Sequence, residues 1–129
     1  MKNQINVQIN VNPDVVLGIL INLSCSGVLR SYLDKEPKRL GATFRKTMQQ
    51  DPSKWTHFKW VLTYCDKKYY VTFNRIILAL QKMAEDKANG KYFNKWHDPL
   101  TVATGGDFGD YIFDMEVIEY VCFGKIIWA

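Results

Sequence analysis

Cys25, His97 and Asp98 are the residue types of a nucleophile, its base and an orienting carboxylate. Their setting argues against that chemistry. Cys25 lies between Ser24 and Ser26 at the end of a predicted helix, whereas a reactive thiol is favoured at a helix N-terminus. A buried Cys25 and a surface or capping His97 are the expectation. His57 and His97 stand alone in their segments, and no cysteine lies at zinc-ligand spacing. Asp107, Asp110 and Asp114 are spaced three and four apart, so on a helix Asp110 and Asp114 share a face. A hard cation takes oxygen ligands, but the alternating acids of a calcium loop are missing. These acids are instead expected to stabilise the positive end of the last helix and to solvate its outer face. No metal, cofactor or catalytic residue is assigned, and the chain is read as a non-enzyme.

Two further patterns point to ligands. Thr104-Gly105-Gly106-Asp107-Phe108-Gly109 has the general form of a phosphate cradle ahead of a helix. It lacks the P-loop lysine and places an aspartate where the anion would sit, so a flexible connection is expected there. Basic residues also interleave with aromatics at Arg30 and Tyr32, at Phe44 to Lys46, from Lys54 to Trp60 and from Lys67 to Tyr70. Nucleotide and nucleic-acid sites use this mixture, because cations meet phosphates and rings stack on bases. A lysine-rich outer face on a half-buried hairpin would give the same pattern. The candidate ligand-binding residues are Arg30, Tyr32, Arg39 and Arg45. Arginine supplies planar bidentate donors for phosphate, and Tyr32 a ring for stacking.

Several elements must position these groups. Ile5, Val7, Ile9 and Val11 alternate with Asn and Gln, the period of a strand with one buried face. Asn12-Pro13-Asp14 then opens a helix predicted to run to Ser24, with Val16, Leu17, Leu20 and Leu23 on one stripe. Short helices are expected around Leu29 to Leu33 and from Ala42 to Gln50. Phe58 to Tyr64 and Tyr69 to Phe73 read as a hairpin turning through Asp66-Lys67-Lys68. Asn74 is the expected cap of a helix reaching Ala88, with Ile76, Ile77, Leu80, Met83 and Ala84 on its apolar face. Lys91 to His97 reads as one or two helical turns, and Pro99 to Gly109 as a loop. The last helix starts near Gly109 or Asp110, carries Tyr111, Met115, Ile118 and Cys122 on one stripe, and stops at Gly124. Lys125 to Trp128 is read as a short final strand. The fold class is therefore α+β: a small, mainly antiparallel sheet packed by three main helices.

Composition bounds the rest. The 129 residues are 47 % hydrophobic and suit one domain spanning residues 1–129. No apolar run approaches the ~20 residues of a membrane span, and the first residues lack the apolar core of a signal peptide, so a cytoplasmic protein without a membrane partner is expected. The three cysteines are odd in number and far apart, so they are read as reduced, mostly buried thiols. From Arg30 to Lys95 there are fifteen bases and six acids, whereas Gly105 to Tyr120 holds five acids and no base. Either the basic middle meets a polyanion, or the two regions neutralise each other. The eighteen aromatics exceed what one small core hides, so a homo-oligomer is expected.

The C-terminal half resembles a family of small, mostly uncharacterised proteins encoded by phages and prophages. The resemblance is carried by the helix after Phe73, the segment from Tyr92 to Asp98, and the ending Val121-Cys122-Phe123-Gly124-Lys125-Ile126-Ile127-Trp128-Ala129. It departs after the first helix, where relatives often carry a Gly-Gly and an aromatic-rich turn in place of Ser26 to Tyr32. It implies a phage-type accessory binding protein that antagonises host defence, by blocking a defence protein or sequestering a nucleotide-derived immune signal. The alternative is a nucleic-acid-binding or regulatory module.

Overall fold

The computed structural model describes residues 9–25, 46–47, 50–51, 54, 58–92, 97–107 and 109–127. Among these, six elements follow in the order α1 (Pro13–Cys25), β1 (Lys59–Tyr64), β2 (Lys67–Thr72), α2 (Phe73–Ala88), α3 (Pro99–Ala103) and α4 (Tyr111–Phe123). The fold is α+β, with one two-stranded antiparallel sheet against the helices. None of the described helices is long and apolar enough to cross a membrane.

The first helix begins where Asn12 lets it. The Asn12 side chain accepts a hydrogen bond from the Asp14 amide at 3.0 Å, and its carbonyl accepts one from Val15 at 3.0 Å. The α1 stripe of Val16, Leu17, Leu20 and Leu23 is buried as its spacing requires, and Ile19 joins it. The strand expected ahead of this helix does not form over its described part. Ile9 and Val11 pack on the core without strand pairing. The Asn12 amide instead donates to the Ala103 carbonyl at 2.8 Å, which ties this segment to α3.

The hairpin forms, but its turn is tighter than expected. Tyr64 pairs with Lys67, so Cys65 and Asp66 alone make the connection, and Lys67 and Lys68 belong to β2. Both turn residues have positive φ, 51° and 62°, the geometry that matches the right-handed strand twist. Cys65 is consequently exposed, not buried. Trp60, Leu62 and Val71 face the core, while Val61 and Tyr70 pair on the outward face.

The chain passes directly from β2 into α2. The cap is Thr72, not Asn74: the Thr72 side chain accepts from the Arg75 amide at 3.1 Å. Ile76, Ala79, Leu80, Met83 and Ala84 are buried along one face. Lys91, Tyr92 and His97 are not helical, although Tyr92 is buried beside Tyr120. The expected loop from Pro99 contains the short α3, which Asp98 caps and Pro99 starts.

α4 is the centre of the molecule. It packs against α2, α1 and β2, and every residue from Phe113 to Tyr120 is buried. Gly124, at φ 71°, ends it, and Phe123 sets its ring edge-to-face against Tyr64 and Tyr69 at 5.7 and 5.1 Å. Lys125 to Ile127 form no strand; the Ile127 amide donates to Glu119 Oε1 at 3.1 Å. Up to Ile127, the ending motif is thus a clasp that returns the chain onto α4.

Candidate functional site

The acids of α4 do not behave as a solvated outer face. Asp110 does cap the helix, accepting from the Phe113 amide at 2.8 Å. Asp114, Glu116 and Glu119, however, are only 2 %, 3 % and 0 % exposed. Packing from three sides leaves no outer face between Phe113 and Tyr120, so the acids of that stretch end up inside.

Asp114 is the one that meets a void. A cleft of about 250 Å³ runs between α1, the end of α3, the glycine-rich segment and the start of α4, and Asp114 lies in its wall. Asn12, Asp14, Val15, Gly18, Ile19 and Asn22 supply the α1 side, and Val102, Gly105, Asp107 and Gly109 the other. No lysine or arginine is among these residues. Gly18 makes the room: a Cβ there would find nothing within 4 Å.

The glycine-rich segment is a fitted wall and not a slack connection. A side chain at Gly105, with φ 87°, would sit 2.9 Å from Asn12 Nδ2. One at Gly109 would meet the Phe113 ring at 2.7 Å. The Gly105 and Gly106 amides donate back to Val102 and Thr101. These contacts replace the phosphate cradle that the composition suggested.

His97 braces the same wall from behind. Its Nε2 lies 3.3 Å from Asp110 Oδ2 and its Nδ1 3.8 Å from Asp107 Oδ2, with the ring edge-to-face on Phe113 at 5.8 Å. His97 therefore links the chain ahead of α3 to the N-terminus of α4, and Asp98 is the capping residue. The side chain of Cys25 lies outside the described residues.

The electrostatics of the cleft follow from this placement. Burial pushes the Asp114 carboxyl up to about 7; the Asn22 hydrogen bond opposes that rise, nearby Asp110 adds to it, and His97 opposes it. The opposing bond runs from Asn22 Nδ2 to Asp114 Oδ2 at 3.2 Å. Partial burial also raises Asp110, but the Phe113 amide and His97 outweigh it, and its carboxyl ends below the usual range. Burial pushes the Cys122 thiol up to about 12, so it is an inert thiol at neutral pH. Among the described residues, no group of three or more His, Cys, Asp or Glu is arranged to hold a metal ion.

Arg30, Tyr32, Arg39 and Arg45, the residues expected to bind an anion, lie outside the described residues. The site that the structure does assemble is acidic. Asp107 and Asp114 were visible in the sequence as spaced acids; Asn22 and Gly18 carried no cue, because only packing against α4 gives them a role. No family model matches the chain, and the comparisons with curated proteins and with solved structures gave no match.

Proposed function

We infer that this chain is a non-enzymatic accessory binding protein of the phage type. It works in the cytoplasm of a host cell by blocking a host defence protein. The observation that carries the reading is the α1–α4 cleft, an open recess lined by apolar residues with a buried carboxyl in its wall. Concave sites with few, placed polar groups are the usual form of a recognition site. Its acids disfavour a phosphate-bearing signal at this position, which weighs toward a protein partner. Capture of a nucleotide-derived signal would fall to the basic middle of the chain, including Arg30, Tyr32, Arg39 and Arg45. The exposed residues Val61, Tyr70, Leu78, Leu100 and Ile112 support self-association as well, and a mass by light scattering above that of one chain is expected.

The test is reconstitution with a purified partner. A stoichiometric complex is expected, weakened at least tenfold by Gly18→Leu, which fills the cleft. Thermal stabilisation by a cyclic nucleotide with no protein partner would overturn the reading, and so would multiple turnover of a substrate.

A second reading has one specific observation behind it. On the outward face of the hairpin, the Lys59 ammonium lies 4.8 Å from the Tyr70 ring centre. Such a face suits a nucleic acid. Salt-sensitive retention on DNA or RNA, lost in Lys59→Ala/Tyr70→Ala, would favour it.

A further inference from the structure

We propose that the α1–α4 cleft is a receptor for one cationic group on an apolar stem, an alkylammonium or alkylguanidinium such as a lysine or arginine side chain. The proposal rests on the reading of this cleft as the contact site and names the chemistry of what enters it.

Size restricts the ligand first. At about 250 Å³ the cleft falls just below the range of ~300–1,000 Å³ typical for drug-sized ligands. It would hold roughly eight waters at ~30 Å³ each, which suits a side chain and not a dinucleotide. Shape restricts it next. Val15, Ile19 and Val102 line the walls, where methylene groups pack, while Asp14 and Asp107 lie at the exposed rim.

Charge then fixes the sign. Asp114, 2 % exposed, reaches this space with a single hydrogen-bond donor among the described residues, Asn22 Nδ2 on its Oδ2. A carboxylate has room for about four such bonds, so the described residues leave most of its accepting capacity unused. A buried acceptor in that condition is costly, and a charged donor entering the cleft would relieve it. Among the described residues, no base lines the cleft to supply the donor from within.

Protonation makes the binding pH-dependent. The charged groups facing Asp114 are Asp110 on its own helix and His97 from the segment ahead of α3, with Asp14 and Asp107 around the cleft. A cation binds the ionised carboxylate. With the carboxyl raised to about 7, the ionised fraction, and with it the apparent affinity, rises roughly thirtyfold between about pH 5.5 and pH 8.

The probes are n-butylguanidinium, n-butylammonium, neutral n-butylurea and inorganic phosphate, added to the full chain and followed by the backbone amide resonances of Gly18, Asn22, Gly105 and Gly109. Both cations should shift these resonances, more tightly at pH 8 than at pH 5.5, and the urea and phosphate should not. Gly18→Leu occupies the cleft while keeping the helix, and should abolish the shifts with an otherwise native spectrum. Asp114→Asn should weaken the cations at least tenfold and remove the pH dependence. A capped Gly-Arg-Gly peptide that binds more tightly than butylguanidinium identifies a protein side chain as the ligand, and equal binding identifies a free small cation. Equal binding of the neutral urea, or cation binding unchanged in Gly18→Leu, overturns the proposal. If Gly18→Leu loses the partner yet no cation binds, the contact site stands and this chemistry falls. If cations bind but partner retention ignores Gly18, the contact reading falls instead.

Discussion

Replacing Asp114 with Asn should stabilise the protein, and increasingly so as pH rises. The carboxyl is buried under α1, and its folded pKa of about 7 stands about three units above the ordinary 3.8. A raised carboxyl pKa means that the native state holds its proton more tightly than the unfolded chain. The stabilising contribution of this group is therefore complete below about pH 4 and lost as pH climbs through about 7. At ~1.4 kcal/mol per unit, ionising Asp114 costs the fold up to about 4 kcal/mol at pH 8, and nearer 2 if water in the cleft screens the charge. Asn cannot ionise, and its side-chain oxygen can accept the same bond from Asn22 Nδ2. Urea unfolding of both proteins from pH 4.5 to pH 8.5 gives the difference directly, because every other titrating group is shared. That difference should grow by about 2–4 kcal/mol across the range, nearly all of it below about pH 7 and half of it by about pH 6. A difference that stays flat within about 0.5 kcal/mol would mean that Asp114 ionises freely in the folded protein.

Three further substitutions probe the frame around the cleft. Ile118→Ala, at a residue 1 % exposed on α4, should cost about 2–5 kcal/mol in chemical denaturation. Thr72→Ala removes the acceptor for the Arg75 amide at the strand-to-helix junction and should cost about 1 kcal/mol, read as a lower denaturation midpoint with unchanged slope. Gly18→Ala places a methyl group in open space within α1 and should stabilise by about 0.5–1 kcal/mol; a loss of stability would show that no room exists there.

The clasp at the end of the chain explains why the ending motif says little about activity. Phe123 caps the hairpin, Gly124 turns the backbone, and Ile127 bonds to Glu119. A sequence sharing these residues shares a way of closing the fold.

Short-range order was legible from residue types alone. Asn12-Pro13-Asp14 opens α1, the five apolar positions of α2 fall at helical spacing, and Gly124 stops α4, because each depends on neighbours within a turn or two. Errors of detail also stayed local. Thr72 and Asn74 are both cap types, and only the strand length decided between them. The acids of α4 are a different case. Asp114 reads with Asp107 and Asp110 as part of a solvated face, since a lone amphipathic helix would turn it outward. Asp114 is buried, together with Glu116 and Glu119, because α1, α2 and β2 close around α4 from separate parts of the chain. Nothing within four residues of Asp114 encodes that. Local signals in the sequence determined α1, the hairpin, α2 and α4; tertiary packing decided that one carboxyl would face a cleft opened by Gly18, ninety-six residues away in the chain.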